Sequence, residues 1–292
     1  MADRVLICIP TFQRPKMLKR LLDVIAGLET SADISVLVAD NDVRQRAGLN
    51  LCLGLEDYRW RLTAVIAPER GIAQARNILI EYALTSDAEF VAMIDDDEWP
   101  EKHWIDQLLK TAHATGADIV QGSVLFGTHA DIRRPTGPVA MAQGAGNLLI
   151  RRSVLEEMTA PWFDPQFGLS GGEDRELFIR LKRAGKRFAW SDEARAHSAV
   201  PATRAGLAWL LRRSYSTGNS DMRVLMKHHP SQIIAEMLKI LASLLLSPLL
   251  AVILAPSPNR RAIPLKKLFR AAGKLSALFG VRYNEYAVIH GE

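Results

Sequence analysis

The strongest constraint in this sequence is a repeated alternation. Runs that are apolar and rich in β-branched residues (RVLICIPTF, ADISVLVADND, RLTAVIAPERG, AEFVAMIDDD, ADIVQGSVLF) are separated by segments with apolar residues at helical spacing. After the first run, Met17, Leu18, Leu21, Leu22 and Ile25 share one helical face, with Gly27 near its end. IAQARNILIEYAL and EKHWIDQLLKTAHATG follow later runs in the same way. This pattern predicts an α/β fold: a Rossmann-like, mainly parallel sheet with helices on both faces. Ligands of such sheets bind beyond the carboxyl ends of the strands. Polar residues gather at those ends here: Thr11 and Arg14, Asp40 and Asn41, and Asp95 to Glu98. They are expected to converge on one crevice.

Further along, GNLLIRRSVLEEM reads as strand then helix, and FGLSGGEDRELFIRLKRAG as a Gly-rich turn feeding a helix. KRFAWSDEARAHS reads as a late strand ending near His197, and RAGLAWLLRRSYSTGNSDMRVL as a helix followed by a turn. Between Gly127 and Gly146 the chain is rich in Gly, Pro and Ala, which predicts a long loop able to close over a ligand.

The stretch FVAMIDDDEWP places four acids directly after a buried strand. Their mutual repulsion calls for a positive partner. A divalent cation answers this, because Mg²⁺ and Mn²⁺ take carboxylate and phosphate oxygens. Strand alternation would put Asp95 and Asp97 on one side and Asp96 on the other. A second reading makes Asp97 or Glu98 the cap of the next helix, with Pro100 in its first turn. ERGIAQARN adds Arg70, Arg76 and Asn77 near a helix start, a place that favours anions. SGGED puts Glu173 and Asp174 in the first turn of a helix. There they either offset the helix dipole or offer a general base behind a Gly-Gly turn.

After His229 the character changes. Ile240 to Ala255 is uncharged, shorter than the ~20 residues that span a bilayer, and interrupted by Pro248. PLKKLFRAAGKLSALFG then sets Leu265, Leu268, Phe269, Leu275, Leu278 and Phe279 on one face, beside Lys266, Lys267, Arg270 and Lys274. This is the pattern of a basic helix in a membrane interface, the alternative being two helices packed on the main domain. The expected division is residues 1–228 as the main domain and 229–292 as an apolar and basic helical tail. The net charge of +5, concentrated at the C-terminal end, points to an anionic partner, membrane or nucleic acid; with the apolar run beside it, a membrane surface and no nucleic acid is expected. Cys8 and Cys52 make no disulfide framework, and the early strand-like run VLICIP is too short for a signal-peptide core, so a reducing cytoplasm is expected.

The segments IPTFQRPKMLKRLL, VLVADND, GIAQARN, MIDDDEWPEKHWIDQLL, GNLLIRRSVLEE and SGGEDRELFIRLKRAG occur in the order seen in family 2 glycosyltransferases of the GT-A fold. The resemblance covers Val5 to Asn219 and is similar in particular to bacterial enzymes of exopolysaccharide assembly, the succinoglycan glucosyltransferase group. It implies an inverting enzyme that moves one hexose from a UDP-sugar to a lipid-linked oligosaccharide at the cytoplasmic face of the bacterial inner membrane. It also implies roles. Pro10, Thr11, Arg14, Asp40 and Arg76 would hold the nucleotide, with Asp95 and Asp96 against the ribose and sugar diphosphate. Asp97 would bind Mn²⁺ or Mg²⁺ as the metal ligand of the D-x-D motif, and His197 stands where some relatives add a further ligand. Asp174 would be the base, and Glu173 and Arg212 would contact acceptor or diphosphate. The Q-x-x-R-W signature of processive synthases is absent, AWLLRRS standing near its place, which implies addition of a single sugar.

Three rival readings make different demands on the chain. A non-catalytic nucleotide-sugar regulator on the same fold would be favoured by loss of Asp97 or Asp174, and both are present. A nucleotidyltransferase needs a Gly-rich phosphate loop with a lysine, and IPTFQRP is not one. An aspartyl phosphatase needs D-x-D-x-[TV], whereas Glu98 and Trp99 follow Asp97. A transferase for another surface glycan, such as one moving GlcNAc, stays open beside glucose.

Overall fold

The computed structural model describes residues 2–126, 134–198 and 206–285. They divide into two compact units: the described residues of 2–168 with 173–198, and residues 169–172 with 206–285.

The first unit is built on a nine-stranded sheet, ordered β3-β2-β1-β4-β8-β6-β9-β5, with β7 paired to β9. Its strands are β1 (Arg4–Thr11), β2 (Asp33–Asp40), β3 (Arg61–Ile66), β4 (Phe90–Met93), β5 (Glu98–Pro100), β6 (Ile119–Phe126), β7 (Gly137–Val139), β8 (Leu148–Arg151) and β9 (Phe188–Ser198). The pairings β1–β2, β1–β4, β2–β3 and β6–β9 are parallel, as the alternation predicts. The short strands β5, β7 and β8 add antiparallel pairings. Alternate side chains of β1 enter opposite cores. Val5, Ile7 and Ile9 join a cluster with α1 (Pro15–Ala26) and α4 (Trp104–Thr115). Leu6 and Cys8 join one with α3 (Ile72–Thr85), α5 (Arg152–Glu156) and α6 (Glu173–Arg183). Pro15 opens α1, where its missing N–H costs nothing. Cys8 and Cys52 are free, buried thiols.

One helix is unannounced by the sequence, and three local expectations change. The helix α2 (Ala47–Leu53) does not announce itself in the sequence; seven residues are too few to establish a helical period. Residues 94–97 form a turn and not the end of a strand, so side-chain alternation does not govern the three aspartates. No helix is capped by Asp97 or Glu98, because Glu98–Pro100 pairs with β9 and α4 begins at Trp104. The Gly-rich segment carries β7, and residues 127–133 of it lie outside the described residues.

Asn147 joins the two halves of the sheet. It is fully buried, adopts φ 47°, and donates to the carbonyls of Ser123 and Ala194 at 2.8 Å each. Its Oδ1 accepts the Trp104 indole N–H at 2.7 Å. Gly122, at the β6 irregularity, lies so close that any side chain would collide with Asn147 and the Ala194 carbonyl.

The second unit contains α7 (Leu207–His228), α8 (Ile233–Ile253) and α9 (Pro258–Leu278). It takes in α7, which the expected boundary at 228 assigns to the main domain. The reason is close packing: side chains at Gly218 or Gly273 would collide with backbone carbonyls of Arg270 or Tyr215 across the α7–α9 crossing. The expected turn after RRSYS is instead continuous helix. Ser214, Thr217 and Ser220 return their hydroxyls to carbonyls four residues back, and buried Asn219 bonds Ser276 and Val281 at 2.9 Å. Residues 230–253 are long and apolar enough to cross a membrane, at a mean hydropathy of 1.9, although the uncharged part alone falls short.

Asn147→Ala would strand two carbonyls and an indole N–H in the core. We expect it to cost about 3 kcal/mol or more, at roughly 1–3 kcal/mol per buried unsatisfied group. Urea denaturation measures this; a loss under about 1 kcal/mol would contradict the assigned role.

Candidate active site

The turn after β4 projects Asp95, Asp96 and Asp97 at the carboxyl edge of the parallel strands. Their positive partners are two arginines. Arg14, immediately before α1, pairs with Asp96 and, at 3.0 Å, with Asp97. Arg76, on the buried side of α3, donates to Asp95 at 2.9 Å and to Glu173 at 2.7 Å. Thr11, the last residue of β1, donates its hydroxyl to Asp96 at 2.7 Å. Carboxylates from one turn and one helix are thus held by side chains from β1, α1 and α3.

Burial sets their proton affinities. Asp96 is completely buried, which pushes its carboxyl up to about 7 against the pull of Arg14 and Thr11. Burial, then the negative charge of Asp174, raises Glu173 to about 7. Burial and the charges of Asp95 and Asp97 also hold the Glu98 carboxyl well above the usual range. Among the described residues, Glu98 Oε2 and Glu173 Oε2 have no hydrogen-bond partner. Sequence reasoning notices Glu98 as the fourth acid of its run and offers it only as a helix cap, with no part in the site. It lies against Gly146, where a side chain would collide with it.

The remaining predicted residues fall as follows. Pro10 and Thr11 end β1, with Thr11 turned onto Asp96. Asp40 ends β2, fully buried, and accepts the backbone N–H of Asp42 and of Leu49 at 3.0 Å each. Neighbouring Asn41 pins the β3–α3 loop, bonding the carbonyls of Ala67 and Glu69 and the N–H of Gly71. Beside it Arg70 stacks on Phe12, 3.1 Å from the ring centre. Asp174 stands in the first turn of α6, with Gly144 of the long loop next to it. Arg212 is exposed on α7, in the other unit.

His197 is not brought to the aspartates. Its β9 position is paired with Trp99, and its Nε2 lies 3.4 Å from Glu101 at the rim of a separate cavity with Arg195 and Gln107. Among the described residues no group of three or more His, Cys, Asp or Glu side chains is arranged to hold a metal unaided. The available donor set is therefore hard carboxylate oxygen, incomplete by itself. That fits Mg²⁺ or Mn²⁺, which bind through one or two carboxylates plus substrate phosphates.

Unfolded, Glu173 ionises near 4.5; folded, it keeps its proton until about 7. The folded protein binds the extra proton, so this residue's contribution to stability falls as pH rises between those values. Glu173→Gln removes that slope. From about pH 5 to pH 8 the melting temperature of the parent should fall relative to the variant's. Parallel pH profiles would show that Glu173 is not held protonated.

The comparisons agree with this geometry. A family model described as Glycosyl transferase family 2 matches residues 6–137. The chain is 33% identical over 239 residues to the succinoglycan biosynthesis protein ExoM of Rhizobium meliloti (strain 1021), a match spanning 75% of this chain and 74% of that protein. In fold it is similar to the mannosyltransferase PcManGT from Pyrobaculum calidifontis, solved with GDP-Man and Mn²⁺ (TM-score 0.64, 18% identity, 96% of this chain and 88% of that one). It is also similar to S. aureus TarS in complex with UDP (TM-score 0.56, 14% identity, 99% of this chain and 95% of that one). With its α/β sheet of GT-A type and its carboxylate turn at the sheet edge, the chain belongs to glycosyl transferase family 2.

Proposed function

We propose that this protein is an inverting glycosyltransferase that moves one hexose from a UDP-sugar to a lipid-linked oligosaccharide during exopolysaccharide assembly. The observation that carries the reading is the Asp95–Asp97 turn held between Arg14 and Arg76, with Asp174 at the start of α6. The succinoglycan relative supports the exopolysaccharide setting. Neighbours solved with UDP, UDP-GlcNAc and GDP-Man support a nucleotide-sugar donor.

In this reading Pro10, Thr11, Arg14, Asp40 and Arg76 form the nucleotide side of the crevice, and Asp95 and Asp96 lie against the ribose and diphosphate. Arg14 and Arg76 exchange carboxylate partners for diphosphate oxygens as the donor enters. Asp97, with Asp95 beside it, would hold Mg²⁺ or Mn²⁺ together with the donor. When bound, such a cation supplies Lewis-acid stabilisation of the departing diphosphate. His197, engaged by Glu101, is left out of the metal site. Asp174 takes the proton from the acceptor hydroxyl as the new bond forms, which directs attack from the side opposite the leaving group. Glu173 holds Arg76 in place, and Arg212 is assigned to the acceptor or diphosphate. The C-terminal unit associates with the inner leaflet, where exposed apolar residues of α8 and the basic residues of α9 suit an anionic membrane surface.

Asp174→Asn should leave UDP affinity intact and lower turnover by roughly 10²–10⁴, the range for lost general-base catalysis. Calorimetry with UDP and a radiolabelled transfer assay read the two effects. A fall of less than tenfold would remove Asp174 from the base role.

A further inference from the structure

Helix α8 is inside out. On the side packed against α9 it buries Glu236, Ile240 and Ser247, two of the three polar. Its outward stripe of Ile234, Leu238, Leu241, Leu245, Leu249 and Val252 is 53–76% exposed. An apolar stripe turned outward, with small and polar residues inside, is the arrangement of a helix that meets lipid.

The seam between α8 and α9 is hollow. Two cavities of about 290 Å³ each lie along it and share Lys267. The first is lined by Lys239, Lys267, Arg270 and Lys274, with Glu236 between them. Glu236 accepts from both Lys239 and Lys274, and Arg270 pairs with Asp221. Four cations less these two carboxylates leave a net charge of +2. Lys267 has no carboxylate partner among the described residues. The second cavity is walled by Leu250, Leu254, Ile263 and Pro264, with Arg260 and the shared Lys267 also lining it. From Lys239 to Leu250 is eleven residues of helix, about 16 Å. The seam therefore offers a cationic lobe and, beyond the shared Lys267, a mainly apolar one.

We propose that the α8–α9 seam binds the diphosphate head of a single-chain lipid, with the head in the lobe around Lys267 and the chain running past Ile263. Charge decides between lipid classes. A phosphodiester headgroup brings one negative charge, whereas a terminal phosphate or diphosphate ester brings about two or more, which matches the excess in the lobe. The apolar lobe, at about 290 Å³, is of a size to take a stretch of one hydrocarbon chain. The inference rests on the lipid-linked acceptor reading above and gives the lipid end of that acceptor a place in the C-terminal unit.

Calorimetry on the full-length protein in mild non-ionic detergent tests this with farnesyl diphosphate, farnesol and inorganic diphosphate. Farnesyl diphosphate should bind at least tenfold more tightly than either part alone. Lys239→Gln with Lys267→Gln should weaken it by roughly tenfold or more. Ile263→Ser should weaken farnesyl diphosphate and leave inorganic diphosphate unchanged. All three positions are exposed, so the variants should fold, and thermal melts check this. Equal binding of inorganic diphosphate would make this a free-anion site and overturn the proposal. So would unchanged affinity in the double lysine variant, or complete displacement by phosphatidylglycerol vesicles, which would mark a general membrane surface. UDP binding to the same wild-type preparation separates the two readings. With UDP bound but no preference for farnesyl diphosphate, only the seam proposal fails. With the preference present and UDP not bound, the transferase reading fails and the seam stands.

Discussion

Carboxylates crowded at the end of a sheet repel one another. Two unit charges at about 4 Å interact by roughly 4 kcal/mol at the effective dielectric near a protein surface. The site exists because Arg14 and Arg76 stand among Asp95, Asp96, Asp97 and Glu173. Arg14 stands immediately before α1 and Arg76 within α3, the helices that follow β1 and β3. The same ion pairs that neutralise the turn also tie helix ends to the edge of the sheet. They leave the edge in a state that an anionic ligand can enter, since a diphosphate offers the arginines the same kind of oxygen. In the proposed reading, the carboxylates released by that exchange would be the ones to hold a dication. Burial opposes ionisation of Asp96 and Glu173, so this balance depends on protons as well as on charge partners.

Much of this arrangement is legible in the amino-acid sequence. Continuous apolar runs mark β1, β2 and β4, because strands buried on both faces have no polar alternation to hide them. The polar residues at their ends mark the crevice for the same reason. The positive partner of the acid run is harder. Charge alone points to a divalent cation, and nothing local in FVAMIDDDEWP indicates that Arg14 and Arg76 come within reach. Those pairings span 83 and 19 residues, beyond any periodic signal. The turn at 94–97, the three-residue β5 and the short α2 escape a periodicity argument because each is shorter than its own period needs. His197 draws its predicted metal role from position alone, and its register opposite Trp99 sends it to Glu101.

The C-terminal unit shows the reverse case. Composition separates it from the rest and draws the line after α7, whereas packing groups α7 with α8 and α9. Gly218 within SYSTGNSD reads as a turn signal, yet its role is to let α9 approach α7. The outward apolar face of α8 emerges only once its inward face is known, since an all-round apolar helix has little amphipathic signature.

The central claim is that the carboxylate turn is half of a metal site and the donor's diphosphate the other half. Electron paramagnetic resonance of Mn²⁺ titrated into the wild-type protein, with and without UDP, tests it directly. The account predicts weak Mn²⁺ binding alone and much tighter binding once UDP is present, with the gain lost in Asp97→Ala. Tight Mn²⁺ binding without UDP, or no Mn²⁺ binding with it, would contradict the account.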